Sequence, residues 1–133
     1  MDNTGIVDHL EIYVSDLPKT RAFWDLLLVQ NFHYQVYQEW DTGISYRLKE
    51  TYIVFVQTDK TSPAFNRTRV GLNHLAFSVP TNEAVDRIRE QILTAQYPEL
   101  YPSRYPHAGG PESYAFYCED PDRIKVEVVS QQH

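Results

Sequence analysis

The chain has 133 residues, enough for one core of ordinary size and short for two independent domains. Its formal net charge is −6 with no run of Lys and Arg, which argues against a nucleic-acid or anionic-membrane partner and leaves a small molecule as the expected one. Aromatic residues make up 14% of the chain, a composition that suits an ordered, pocket-bearing protein.

The start, Met1 to Val7, has neither the basic nor the apolar segment of a signal peptide, and no apolar run reaches bilayer length; a cytoplasmic protein is expected. Cys118 is the only cysteine. It excludes an internal disulfide and a thiolate zinc cluster, and reads either as filler in a strand-like run or as a lone reactive thiol.

The first predicted strand is "VDHLEIYV", Val7 to Val14, whose alternation suits a half-buried strand. A helix follows, with Asp16 or a neighbour as cap, Pro18 in the first turn, and Phe23, Leu26, Leu27 and Gln30 at helical spacing. Phe32 to Trp40, Ile44 to Leu48 and Tyr52 to Thr58 then read as a three-stranded antiparallel meander, turning at Asp41-Thr-Gly43 and near Glu50.

The same order returns in the second half. "LNHLAFSV", Leu72 to Val79, repeats the first phrase with its His in the same slot. Thr81 or Asn82 caps a helix whose Val85, Ile88 and Ile92 form one stripe. A Pro- and Tyr-rich stretch carries a short strand and a long loop around Gly109, Gly110 and Pro111, the best candidate for a lid. Ser113 to Cys118 and Ile124 to Ser130 flank a turn at Asp120-Pro-Asp-Arg123. The unit strand–helix–strand–strand–strand is thus used twice, over residues of about 5–60 and 70–130 of a single domain spanning 1–133. His9 and His74 stand 65 positions apart, whereas matching Tyr52 to Ile124 needs an offset of 72; the loop absorbs the difference.

Strand parity places Leu10, Ile12, Val14, Leu75, Phe77 and Val79 beneath the helices. The opposite face carries His9, Glu11 and Tyr13 in the first copy, His74 in the second, and Lys125, Glu127 and Val129 on the last strand. Two imidazoles and a carboxylate on one kind of face suit a catalytic divalent metal with positions open for substrate. The bland alternative is a pair of hydrogen-bonded histidines and a solvated Glu127 beside Lys125.

The phrases "DHLEIYVSDLPKTRAFWDLLL", "NHLAFSV" and "EDPDRIKVEVV" resemble the vicinal oxygen chelate superfamily, which includes glyoxalase I, bleomycin-resistance proteins, fosfomycin-resistance enzymes and extradiol dioxygenases. The resemblance covers nearly the whole chain. It implies an α+β fold in which two βαβββ modules pair into a cupped, mostly antiparallel sheet around a divalent metal (zinc, nickel, manganese or iron). Carried over by motif, the metal ligands are His9, His74 and Glu127, and the fourth position falls on Phe55, where glyoxalase I has a carboxylate. Gln57 shares the parity of Phe55 and is a substitute to consider. The resemblance to glyoxalase I also gives Glu127 the role of catalytic base.

Tyr13, Arg47, Phe55, His107 and Tyr117 are the candidate substrate contacts, with Tyr46 and Tyr105 as further rim groups; each also has an ordinary packing or surface reading. The resemblance implies a glyoxalase-like lyase or isomerase that chelates two neighbouring oxygens of a small metabolite, acting as a homodimer. Two alternatives stay open: a metal-free binding protein like those of bleomycin resistance, and a metal-dependent thiol transferase acting on an antibiotic. No basic cluster for a phosphonate is evident in the sequence.

Overall fold

Asp16 ends the first strand and starts the first helix, its Oδ1 accepting from the Lys19 amide while Pro18 occupies a position that needs no donor. In this computed structural model, which describes residues 2–132, the chain divides into two compact units, Met1–Pro63 and Ala64–His133. Each folds by the same rule. An edge strand runs into a helix, the helix crosses one sheet face, and an antiparallel meander returns so that its last strand lies parallel to the first.

In the first unit β1 (His9–Val14) is followed by α1 (Leu17–Trp24), β2 (Gln35–Trp40), β3 (Gly43–Leu48) and β4 (Thr51–Gln57), in the sheet order β1-β4-β3-β2. The β1–β4 pair is parallel and the others antiparallel, which requires the helical crossover between β1 and the meander. Gly43 makes the β2–β3 turn possible, because a Cβ there would stand 2.2 Å from the Trp40 ring.

The second unit repeats this with β5 (His74–Val79), α2 (Asn82–Thr94), β6 (Glu99–Leu100), β7 (Ala115–Glu119) and β8 (Lys125–Ser130), in the order β5-β8-β7-β6. Thr81 caps α2 by accepting from the Ala84 amide, and Val85, Ile88 and Ile92 are all buried, as their spacing requires. Asp120 shapes the β7–β8 turn, its Oδ1 accepting from the amides of Asp122 and Ile124.

The first helix departs from its expected course. After Trp24 it widens into a π-helical segment, Asp25–Asn31. Widening rotates the stripe, so Phe23, Trp24, Leu27 and Leu28 are fully buried while Leu26 is half-buried and Gln30 exposed. Among the described residues no helix is long and apolar enough to cross a membrane.

Candidate functional site

Pairing register decides which side chains share a face, since residues directly opposite across a ladder point the same way. In the second unit one row runs Ala76, Glu127, Tyr117, and the next holds His74 and Lys125. The other face carries Leu75, Val126, Phe77 and Val128, against which α2 packs. His74, Tyr117, Lys125 and Glu127 therefore gather on the face the helix leaves open.

His74 is held in one orientation. Asn73 Nδ2 donates to the Arg67 carbonyl at 3.2 Å, which turns its Oδ1 toward His74 Nδ1 at 2.7 Å. Nδ1 is thereby the donor to Asn73, and the lone-pair side of Nε2 faces Glu127 Oε1 at 3.1 Å. Two acceptors facing each other at this distance need a shared cation between them, a proton or a metal. Glu127 is 9% exposed, so an uncompensated charge there is costly. Beside it, burial and then the charge of Glu127 and a hydrogen bond to it push the Tyr117 hydroxyl up to about 12, so it stays a proton donor at neutral pH.

The long loop closes on the same hydroxyl: a Cβ at Gly109 would stand 2.7 Å from Tyr117 Oη and 3.1 Å from Ser113 Oγ. Its far side is clasped to α2, where the Tyr105 and Tyr114 hydroxyls both donate to Asp86 Oδ1. His107 belongs to this clasp. Its Nδ1 donates to the Ser113 carbonyl and its ring meets Tyr114 edge-on, so it anchors the loop.

In the first unit His9 occupies the matching position. Its Nδ1 donates to Asp8 Oδ2 at 2.7 Å, the role Asn73 has for His74, which leaves Nε2 for a ligand. The ring stacks on Tyr52 at 4.7 Å; Tyr52 meets Tyr37, and Arg47 lies over Tyr37. Arg47 thus stands on the same face as His9, two aromatic rings away. Tyr13 is on that face and 65% exposed.

Phe55 requires a correction. It pairs with Ile12, not with Glu11, and therefore lies on the helix-covered face, fully buried against Trp24 at 4.9 Å. The position of the first unit that corresponds to Glu127 is Val54, opposite Glu11 as Glu127 is opposite Ala76. The equivalence is offset by 73 residues rather than 72. Gln57 also points away from the open face: its Oε1 accepts from the Leu17 amide at the start of α1. Tyr46 is likewise internal, donating to Asp25 Oδ1 at 2.6 Å.

Residues 8–127 match the glyoxalase/bleomycin resistance protein/dioxygenase superfamily. The chain belongs to this superfamily. It is 46% identical over 124 residues to the uncharacterized protein YqjT of Bacillus subtilis (strain 168), covering 92% of this chain and 96% of that one. A crystal structure of a glyoxalase candidate from Bacillus halodurans is 47% identical, with a TM-score of 0.93 over 96% of this chain and 97% of that one. Fold alone is shared with FosX of Listeria monocytogenes, a fosfomycin resistance protein whose crystals hold Mn(II) and sulfate: 19% identity, TM-score 0.69, 96% of this chain and 91% of that one.

Within this superfamily fold, sequence reasoning missed Asn73, Tyr101 and Arg104, and it set Lys125 aside as a mark of a solvated face. The place of Asn73 immediately before His74, matched by Asp8 before His9, was the available signal. Cys118 lies on the helix-covered face opposite Val126, where burial raises its thiol above the usual range. The expected result is that a thiol-specific reagent leaves the native chain unmodified over hours and reacts within minutes once urea unfolds it.

Proposed function

We propose that the protein is a glyoxalase-like, metal-dependent enzyme of lyase or isomerase type, acting on a small metabolite with two neighbouring oxygens. The observation that carries the reading is the His74 Nε2 to Glu127 Oε1 approach at 3.1 Å, with His74 Nδ1 already committed to Asn73. That separation is one across which two ligand bonds of about 2.1 Å can share an ion. Among the described residues no group of three or more His, Cys, Asp and Glu side chains is gathered to hold one ion; what supports the reading is the donor chemistry, two imidazoles whose second nitrogens are fixed by Asp8 and Asn73, and a carboxylate. His74 and Glu127 would hold the ion, with His9 the further ligand that the family resemblance implies, and these donors leave its identity open among zinc, nickel, manganese and iron.

A divalent ion there supplies Lewis acidity to the chelated oxygens. The remaining chemistry belongs to the chain. Glu127 would be the base that takes a proton from a substrate carbon, and the Tyr117 hydroxyl, which donates to Glu127, would keep its carboxylate aimed. The loop at Gly109 lies close against the Tyr117 hydroxyl, where a side chain in place of the glycine would collide with it. A cytoplasmic homodimer is part of this reading.

Asn73 tests the positioning argument. Asn73→Ala is expected to lower divalent-metal affinity by about 10–100-fold, as loss of a ligand's orienting partner does. Asn73→Asp, the residue the first unit uses at this place, is expected to restore most of it. Calorimetric titration with Zn²⁺ reads both. The activity itself is tested by assaying thiol adducts of 2-oxoaldehydes with chelator-stripped and remetallated protein. Turnover that appears only on remetallation supports the reading; no turnover together with tight binding of apolar drugs to the stripped chain would replace it with a sequestering role.

A further inference from the structure

Four arginines among the described residues pair with a carboxylate: Arg21 with Glu39, Arg67 and Arg123 with Glu119, Arg89 with Glu99. Two cations on the open face of the second unit differ. Lys125 Nζ donates to the Tyr101 hydroxyl at 2.9 Å and sits 4.9 Å from the Tyr101 ring centre and 5.3 Å from that of Tyr117. Arg104 lies over the same Tyr101 ring at 4.9 Å. Among the described residues neither has a carboxylate within ion-pair distance. Aromatic rings and a phenol hold these cations in place without neutralising them.

We propose that Lys125 and Arg104 bind the acidic group of a small organic anion, a carboxylate or phosphonate carrying a neighbouring oxygen. Lys125 is two residues from Glu127 on one strand and one face, a Cα spacing of about 7 Å. An acid group held at Nζ therefore leaves its adjacent oxygens toward Glu127 and His74. Tyr101, which carries both cations, has φ 57 and ψ 43, a left-handed conformation unfavourable for a bulky residue; such strain is characteristic of ligand clamps. In a chain of net charge −6, a local cation pair is what lets an anion approach the carboxylate of Glu127. The orientation toward His74 and Glu127 rests on the metal-dependent reading, whereas the acid site stands on Lys125 and Arg104.

Three small probes of similar shape separate the possibilities: glycolate, hydroxymethylphosphonate and the neutral glycolamide, each titrated calorimetrically into Mn²⁺-supplemented protein. At least one anion is expected to bind tenfold or more tightly than glycolamide, and the preferred anion identifies the acid as carboxylate or phosphonate. Lys125→Gln is expected to reduce that anion to the glycolamide level while Mn²⁺ affinity, titrated separately, stays within about threefold. Arg104→Gln, a change in a surface loop, is expected to weaken the anion several-fold and serves if Lys125→Gln fails to fold. Equal binding of anions and glycolamide by the wild type, or an anion preference that survives both substitutions, would overturn the proposal. If the wild type takes up no Mn²⁺ but keeps a Lys125-dependent preference for anions, the metal reading falls and the acid site remains.

Discussion

Glu127→Gln is expected to abolish measurable divalent-metal binding, a loss of about 100-fold or more, exceeding the loss expected for an outer-shell partner. The reasoning is electrostatic. Gln keeps the shape, volume and hydrogen-bonding reach of the side chain on β8, and removes the negative charge that faces His74 Nε2 at 3.1 Å. Secondary structure and cooperative unfolding should survive, because Glu127 lies on the open face and not among the residues beneath α2. A simple ion pair between Glu127 and a protonated His74 makes the opposite forecast: the variant would change stability and leave metal uptake as weak as in the wild type. Manganese titration followed by electron paramagnetic resonance, beside a thermal melt, separates the two.

Phe55→Ala is expected to have the largest effect on stability, about 3–5 kcal/mol, with little effect on metal affinity in the folded fraction. Phe55 is fully buried and its ring meets Trp24 at 4.9 Å and Tyr46 at 6.0 Å. Truncation leaves a cavity between sheet and helix that neither neighbour can fill without leaving its own position. A whole domain holds only about 5–15 kcal/mol, so the variant should unfold at a much lower urea concentration. Tyr13→Ala, at an exposed place, should stay within about 0.5 kcal/mol of the wild type.

These two residues show where the sequence is informative and where it is not. Glu127 could be placed because β8 alternates: Val126 and Val128 are buried beneath α2 and Lys125 and Val129 are not. On β4 the run Ile53, Val54, Phe55, Val56 is apolar at both parities, because a central strand with both faces shielded has no polar side to mark its register. A one-residue slip then moves every side chain to the other face, which is how Phe55 came to stand where Val54 belongs. The carboxylate of that row in the first unit lies one strand over, on Glu11.

The histidine phrases were legible because repetition fixed their slot, and the caps because Asp16 and Thr81 sit where a helix must begin. The widening of the first helix was not, since the π-helical segment depends on how Leu27 and Leu28 seat beneath the sheet and not on local spacing alone. The loop residues divided by partner. His107 is committed to Ser113 and Tyr114, whereas Tyr101 meets both Lys125 and Arg104 at a place where its own left-handed conformation turns the chain.

The most direct test of the account is the stoichiometry of divalent-metal binding to chelator-stripped wild type, titrated by calorimetry beside His9→Ala and His74→Ala. The account predicts about one ion per chain, with affinity lost in His74→Ala and strongly reduced in His9→Ala while both variants melt cooperatively. No saturable binding by the wild type, or an affinity indifferent to His74, would contradict it and leave the repeated histidine as a packing feature of the duplicated fold.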